Sequence, residues 1–120
     1  MAVSKTNAQT ATATVVRNGR TAIKCVQAKQ RAPAAPVLFL QIFNTNAPTV
    51  GTTAPFSVIA IPAGNANLDI SYVKEDYQAN FGGKDLSTGF SYAVTTTYNG
   101  LTAPTAGQEP EVEIHYEALG

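Results

Sequence analysis

Few residues in this chain have the types and spacing that chemistry requires. The single histidine, His115, stands in "EVEIHYEAL" with Glu113 and Glu117 two residues to either side. Residues at period two share one face of a β-strand, so a Glu-His-Glu row is a conceivable cation site. A third firm ligand is missing, however, and alternating glutamates on a solvated strand are ordinary. Ser-His-Asp catalysis would need His115 to meet Asp69, Asp76 or Asp85 beside a serine, and the sequence has no G-x-S-x-G elbow. A Cys25–His115 pair has no supporting context. Glu75 and Asp76 are adjacent, and Glu111 and Glu113 lie along one face, whereas a glycosidase needs two carboxyls opposed across a cleft. Gly82-Gly83-Lys84 lacks the first glycine of a phosphate loop, since Gln78 and Ala79 stand where it belongs, and reads as a tight turn. Among the tyrosines, Tyr72, Tyr92 and Tyr116 fall on core-facing positions, which leaves Tyr77 and Tyr98 for a sugar platform. No catalytic residue, metal or cofactor is expected, and the chain is not expected to be an enzyme.

The elements that would carry these residues are short and extended. "TATATVV" (10–16) alternates, "RNGR" supplies Asn18-Gly19, and "TAIKCVQ" returns, which reads as an N-terminal β-hairpin. The preceding "MAVSKTNAQTA" is small and polar and reads as a mobile or partner-ordered arm. "AKQRAPAAP" is a linker, with Pro33 and Pro36 favouring extended backbone. "VLFLQIF" (Val37–Phe43) is nearly continuous apolar sequence, which places it at the centre of a sandwich or at a subunit contact. "PFSVIAIPAG" (Pro55–Gly64) is a further strand. "NLDISYV" alternates with Leu68, Ile70 and Tyr72 on one face. "KEDYQANFGGK" is the one segment where a helical turn is plausible. "STGFSYAVTTT" puts Phe90, Tyr92 and Val94 together, "YNGLTAPTAGQEP" is a long loop, and the last strand turns Val112, Ile114 and Tyr116 inward.

About seven short strands separated by Gly/Pro/Asn loops make an all-β chain, an antiparallel β-sandwich of jelly-roll-like or Ig-like type, with an N-terminal hairpin or extended arm. The expected division is 1–36 for arm and hairpin and 37–120 for the sandwich. The 120 residues suffice for one core. Cys25, the sole cysteine, excludes an internal disulfide and reads as a buried, inert thiol. The opening residues have no apolar signal-peptide run, and no segment is long and apolar enough for a membrane helix, so synthesis in a reducing cytoplasm and no membrane partner are expected.

Only 13% of residues are charged, which suits a surface that packs against other protein. The charges are also sorted. Residues 1–68 carry +6 and residues 69–120 carry −6, with no acid before Asp69. Either the two ends are neighbours whose charges offset, or a basic arm docks on an acidic subunit. The second possibility makes Arg17, Arg20, Lys24, Lys29 and Arg31 candidate partner-binding residues. Nucleic acid is not expected, because the bases are scattered and lack aromatic interleaving.

Two stretches carry a resemblance. Gln41-Ile42-Phe43, Ala47-Pro48-Thr49-Val50-Gly51-Thr52-Thr53-Ala54-Pro55 and Pro62-Ala63-Gly64 are followed by Ser87-Thr88-Gly89-Phe90-Ser91-Tyr92-Ala93 and Thr95-Thr96-Thr97. The segment resembles a group of small tailed-phage virion proteins that run as Q-[VIL]-[FY], APTxGTTxP, PAG and FSTGLSxAxTTT. The likeness covers roughly 37–106, with Leu86 in place of the usual Phe. It implies a β-sandwich virion subunit. The expected role is capsid decoration (cement): a homo-oligomer, expected to be a trimer, on the virion's capsid surface, with the major capsid protein or another virion protein as partner. The alternative is a tail, baseplate or head-fibre component, with glycan binding as an option.

Overall fold

The structure is a computed structural model that describes residues 2–77 and 84–119. It is all-β, a slab of 42 × 31 × 19 Å made of two antiparallel sheets packed face to face. In chain order the strands are β1 (Ala2–Thr6), β2 (Thr14–Asn18), β3 (Thr21–Lys29), β4 (Leu38–Phe43) and β5 (Ser57–Ile61). After a 3-10 turn (Leu68–Ile70) come β6 (Tyr72–Asp76), β7 (Lys84–Leu86), β8 (Gly89–Thr95) and β9 (Glu111–Ala118). One sheet runs β1-β9-β3-β6, with β7 on the same edge of β3 as β6, and the other runs β2-β8-β4-β5.

The core follows from period two. Ile23, Val26 and Ala28 of β3 meet Val112 and Ile114 of β9 on one inner face. Leu38, Leu40 and Ile42 of β4 meet Phe90, Tyr92 and Val94 of β8 on the other. Each such large apolar side chain, fully withdrawn from water, contributes about 1.5–3 kcal/mol. The phases expected for β8 and β9 hold, and β4 is central, flanked by β8 and β5.

Four expectations are corrected. Asn18-Gly19 does bend the chain, with Gly19 at φ 129°, but β2 and β3 do not pair. β2 joins β8 in one sheet and β3 joins β9 in the other, so the chain crosses the sandwich where a hairpin was expected. Both arms are apolar on one side, and facing opposite walls lets Val16 and Ile23 bury against the same core. Second, the leading residues are not a loose arm: 2–6 form β1, in register with β9. The anchor is Tyr92, whose buried hydroxyl bridges Ser4 Oγ (2.8 Å) and Thr6 Oγ1 (2.9 Å) across the two sheets. Residues before 37 thus supply strands to both sheets. Third, the presumed linker begins inside β3, since Ala28 is buried.

Fourth, Leu68, Ile70 and Tyr72 do not share an inner face. The 3-10 turn, closed by Ser71 N donating to Leu68 O at 3.1 Å, shifts the phase by one residue. Ser71 is buried and Val73 packs on the core, while Ile70 and Tyr72 are exposed. Of the segment where a helical turn was plausible, Lys74–Asp76 belong to β6, and 78–83 lie outside the described residues.

Candidate interaction surface

The outer face of the second sheet explains the run of small residues in β8. Ser91, Ala93 and Thr95 point away from the core and are buried nonetheless, as are Gln41 and Phe43 beside them. Loops 44–56 and 96–103 lie over them. Ser91 Oγ donates to Thr45 O at 2.7 Å, and Gln41 Nε2 donates to Thr95 Oγ1 at 2.7 Å and Gly100 O at 3.0 Å. A side chain on Gly89 would sit 2.8 Å from Asn46 N, so glycine is what lets the loop descend. The two loops meet where Gly51, at φ +87°, abuts Leu101. Both faces of Leu38–Phe43 are therefore largely covered by this same chain, with Val37 left exposed, which realises the central-strand alternative for that segment. What the loop layer presents outward is Tyr98, 62% exposed and edge-on to Phe39 at 6.0 Å, and Leu101, 64% exposed.

The outer face of the first sheet is polar. Cross-strand register sets Val3, His115, Cys25 and Asp76 in one row and Lys5, Glu113, Gln27 and Lys74 in the next. Lys29 and Glu111 follow, and Gln27, Lys29, Glu111 and Glu113 line a shallow depression. Cys25 and His115 are thus neighbours, which their separation in sequence concealed. The arrangement does not activate the thiol. Burial pushes the Cys25 pKa up; Lys74 opposes this, and Asp76 and Glu113 push the same way as burial. A nucleophilic cysteine needs the opposite shift. His115 Nε2 lies 3.0 Å from Glu113 Oε2, and no cluster of three metal-ligating side chains occurs among the described residues.

The five candidate partner-binding bases are spread over β2, the bend after it, β3 and the segment beyond. Arg17 is half-buried on β2, in the second sheet. Arg20 forms a forked ion pair with Asp85, with Nη2 2.7 Å and Nε 3.2 Å from Oδ2. Its hydrogen bond is the main reason the Asp85 carboxyl is held below its ordinary value. Lys24, at a bulge in β3, lies 3.5 Å from Glu117. Lys29 ends β3, and Arg31 reaches Glu109 O at 3.5 Å. With Lys5–Glu111 at 3.2 Å, three pairs join a base of the first half to an acid of the second. The sorted charges belong, in this measure, to neighbouring elements of one chain.

Of the two tyrosines expected to be free, only Tyr98 is so placed. Tyr77 packs on the core, and its ring faces Lys84 Nζ at 5.5 Å. The same ammonium lies 5.5 Å from the Phe56 ring and 3.1 Å from Ser57 Oγ. Lys84 therefore ties β7 to the start of β5. Gly82-Gly83 lie outside the described residues. Near the other end of β5, buried Gln30 donates from Nε2 to Pro36 O (3.0 Å) and Pro62 O (3.1 Å), and its backbone N donates to Ser71 O.

Comparison of the chain with protein-family models, characterised proteins and solved structures finds no significant match. No helix among the described residues is long and apolar enough to cross a membrane.

Proposed function

We propose that this chain is a virion structural protein, a capsid decoration subunit that binds the outside of a tailed-phage head and stabilises it, and that it is not an enzyme. The observation that carries the reading is the distribution of apolar surface. Ile70, Tyr72, Tyr98 and Leu101, with other large apolar side chains, stand exposed on loops and at strand edges of a weakly charged slab. Exposed apolar side chains on a preformed wall suit a protein whose work is contact. The sequence resemblance over 37–106 supports the particle in question. The mechanism is mass action: a subunit that binds only the assembled shell lowers that shell's free energy and slows its loss. Of the interface residues expected from the sequence, the paired Arg20 and Lys24 are less suited to the shell contact than the exposed apolar groups.

Copy number in purified particles tests the role. Decoration requires stoichiometry on the scale of the capsomers, and heads lacking the protein must burst sooner on heating or on removal of magnesium. Presence in a handful of copies that remain with tails after heads are disrupted would replace this reading with a tail, baseplate or head-fibre component. The Tyr98–Phe39 pair favours that second reading to the extent that it binds glycans, which tyrosine fluorescence on a glycan panel would register.

A further inference from the structure

The two sheets leave four free sides among the described residues, formed by β1, β2, β5, and β6 with β7. Natural sheets guard such edges with charge, bulges or proline, because unpaired backbone groups recruit other strands. Three of the four are guarded here. β1 carries Lys5, and β2 carries Arg17 and a register shift between Val15 and Arg17. β6 carries Lys74, Glu75 and Asp76, and β7 carries Lys84 and Asp85. β5 is different. Its sequence, Ser-Val-Ile-Ala-Ile, has no charge and no proline, and its pairing with β4 runs without irregularity from Leu38↔Ile61 to Ile42↔Ser57. Ala60 is exposed on its outward face, and Phe56, just before it, is 41% exposed.

We infer that β5 is the contact between two copies of this chain, pairing antiparallel with the β5 of a second molecule about a two-fold axis near Ile59. The inference does not rest on the virion role; it takes up the self-association expected from the sequence and makes it a two-fold pair where a trimer was expected. Electrostatics selects this occupant. A neutral edge brought against β1, β2, β6 or β7 of another molecule would desolvate their charged side chains and offer no charge in return, whereas β5 against β5 carries none of its own. The nearest charge, Lys84 Nζ at Ser57, is compatible with the pairing. In an antiparallel pair centred on Ile59, Ser57 faces Ile61 of the second copy, so the two ammoniums stand at opposite ends. Four residues of strand hold them about 14 Å apart, beyond the screening length of physiological salt. Pro55 and Pro62 bracket the strand and limit the pairing to its five residues. The outcome is one continuous sheet of order β2-β8-β4-β5-β5-β4-β8-β2. Five paired residues and Phe56 amount to a small interface, in the class of weak and transient associations.

Sedimentation velocity on the full chain, from about 1 µM to about 1 mM, tests this. The expected result is a monomer–dimer equilibrium that Ala60→Lys weakens at least about tenfold, as edge lysines do. Val15→Lys, a charge added at the exposed β2 position, should leave it unchanged. Hydrogen exchange on the unmodified protein needs no variant: amides of 57–61 gain protection with concentration and those of β1 and β2 do not. A chain that stays monomeric throughout overturns the inference. So does an oligomer indifferent to Ala60→Lys with unchanged β5 exchange, although that result leaves the decoration role standing. Protection of β5 only when shell protein is added would assign the edge to that partner and overturn the pairing of copies.

Discussion

Replacing Tyr92 by Phe removes one oxygen and tests how the leading strand is held. The phenol is fully buried, and its hydroxyl makes two side-chain hydrogen bonds, to Ser4 and Thr6, on the otherwise exposed strand β1. The ring stays, so packing against Phe90, 5.8 Å away between centroids, is kept. Each hydrogen bond of this kind is worth about 0.5–1.5 kcal/mol net, so the two together give about 2 kcal/mol. Ser4 and Thr6 are only half-buried and can turn to water, which keeps the cost near that figure rather than above it. For 120 residues, unfolding entropy of about 2.1 cal/mol/K per residue gives about 0.25 kcal/mol/K, so Tm should fall by about 8 °C. The assay is thermal unfolding by circular dichroism together with hydrogen exchange. Protection should fall most at residues 2–6 and at the β9 amides facing them, ahead of the loss elsewhere. In the Tyr92→Phe background, Ser4→Ala should cost almost nothing more, because its partner is already gone. An unchanged Tm with undiminished protection of β1 would show that the backbone ladder alone holds the strand and that the bridge is incidental.

Other consequences can be checked singly. Gly51→Ala combines a left-handed φ of +87° with a Cβ placed 2.7 Å from Leu101 Cβ, so a loss of about 1–3 kcal/mol is expected in chemical denaturation, with part of it recovered by adding Leu101→Ala. Alkylation of Cys25 by iodoacetamide at neutral pH should be slow in the folded protein and fast in denaturant, since burial both hides the thiol and raises its pKa; equal rates would refute the placement. Asp85 is depressed in the fold by Arg20, so this pair stabilises above the ordinary carboxylate pKa and the effect disappears as pH falls through the lowered folded value. Asp85→Asn should therefore be less stable than the parent at neutral pH and low salt, and indistinguishable from it in acid or at high salt, as urea titrations would reveal.

The strands whose own side chains decide their placement were legible from sequence. β4 is apolar on both faces because one face meets the core and the other lies under loops, and β8 and β9 alternate cleanly. What period two cannot convey is which sheet a strand joins. Asn18-Gly19 encodes a sharp reversal, and whether the returning strand pairs or crosses depends on β8 and β9, far along the chain. β1 was missed for the same reason, since its small polar sequence becomes a strand through a tyrosine about ninety residues away. The alternation at Leu68, Ile70 and Tyr72 misled because a single 3-10 turn slips the phase by one. On the surface, the offset of early bases by late acids was one of two readings open from composition. The structure pairs Lys5, Arg20 and Lys24 within the chain. The adjacency of Cys25 and His115, the Lys84 clamp and the unguarded β5 edge are tertiary facts with no local signal.

The central place of β9 bears on how the molecule is made. β3 has β9 along nearly its whole length, and β1, the earliest strand, also has β9 as its partner. Until residues 111–118 have been synthesised, β1 lacks its strand partner and β3 lacks one side of its ladder, so that wall cannot assemble before they emerge. Such late, distant pairing makes folding slow and leaves apolar strands exposed meanwhile. Deleting residues 111–118 should therefore abolish folded protein outright rather than trim it.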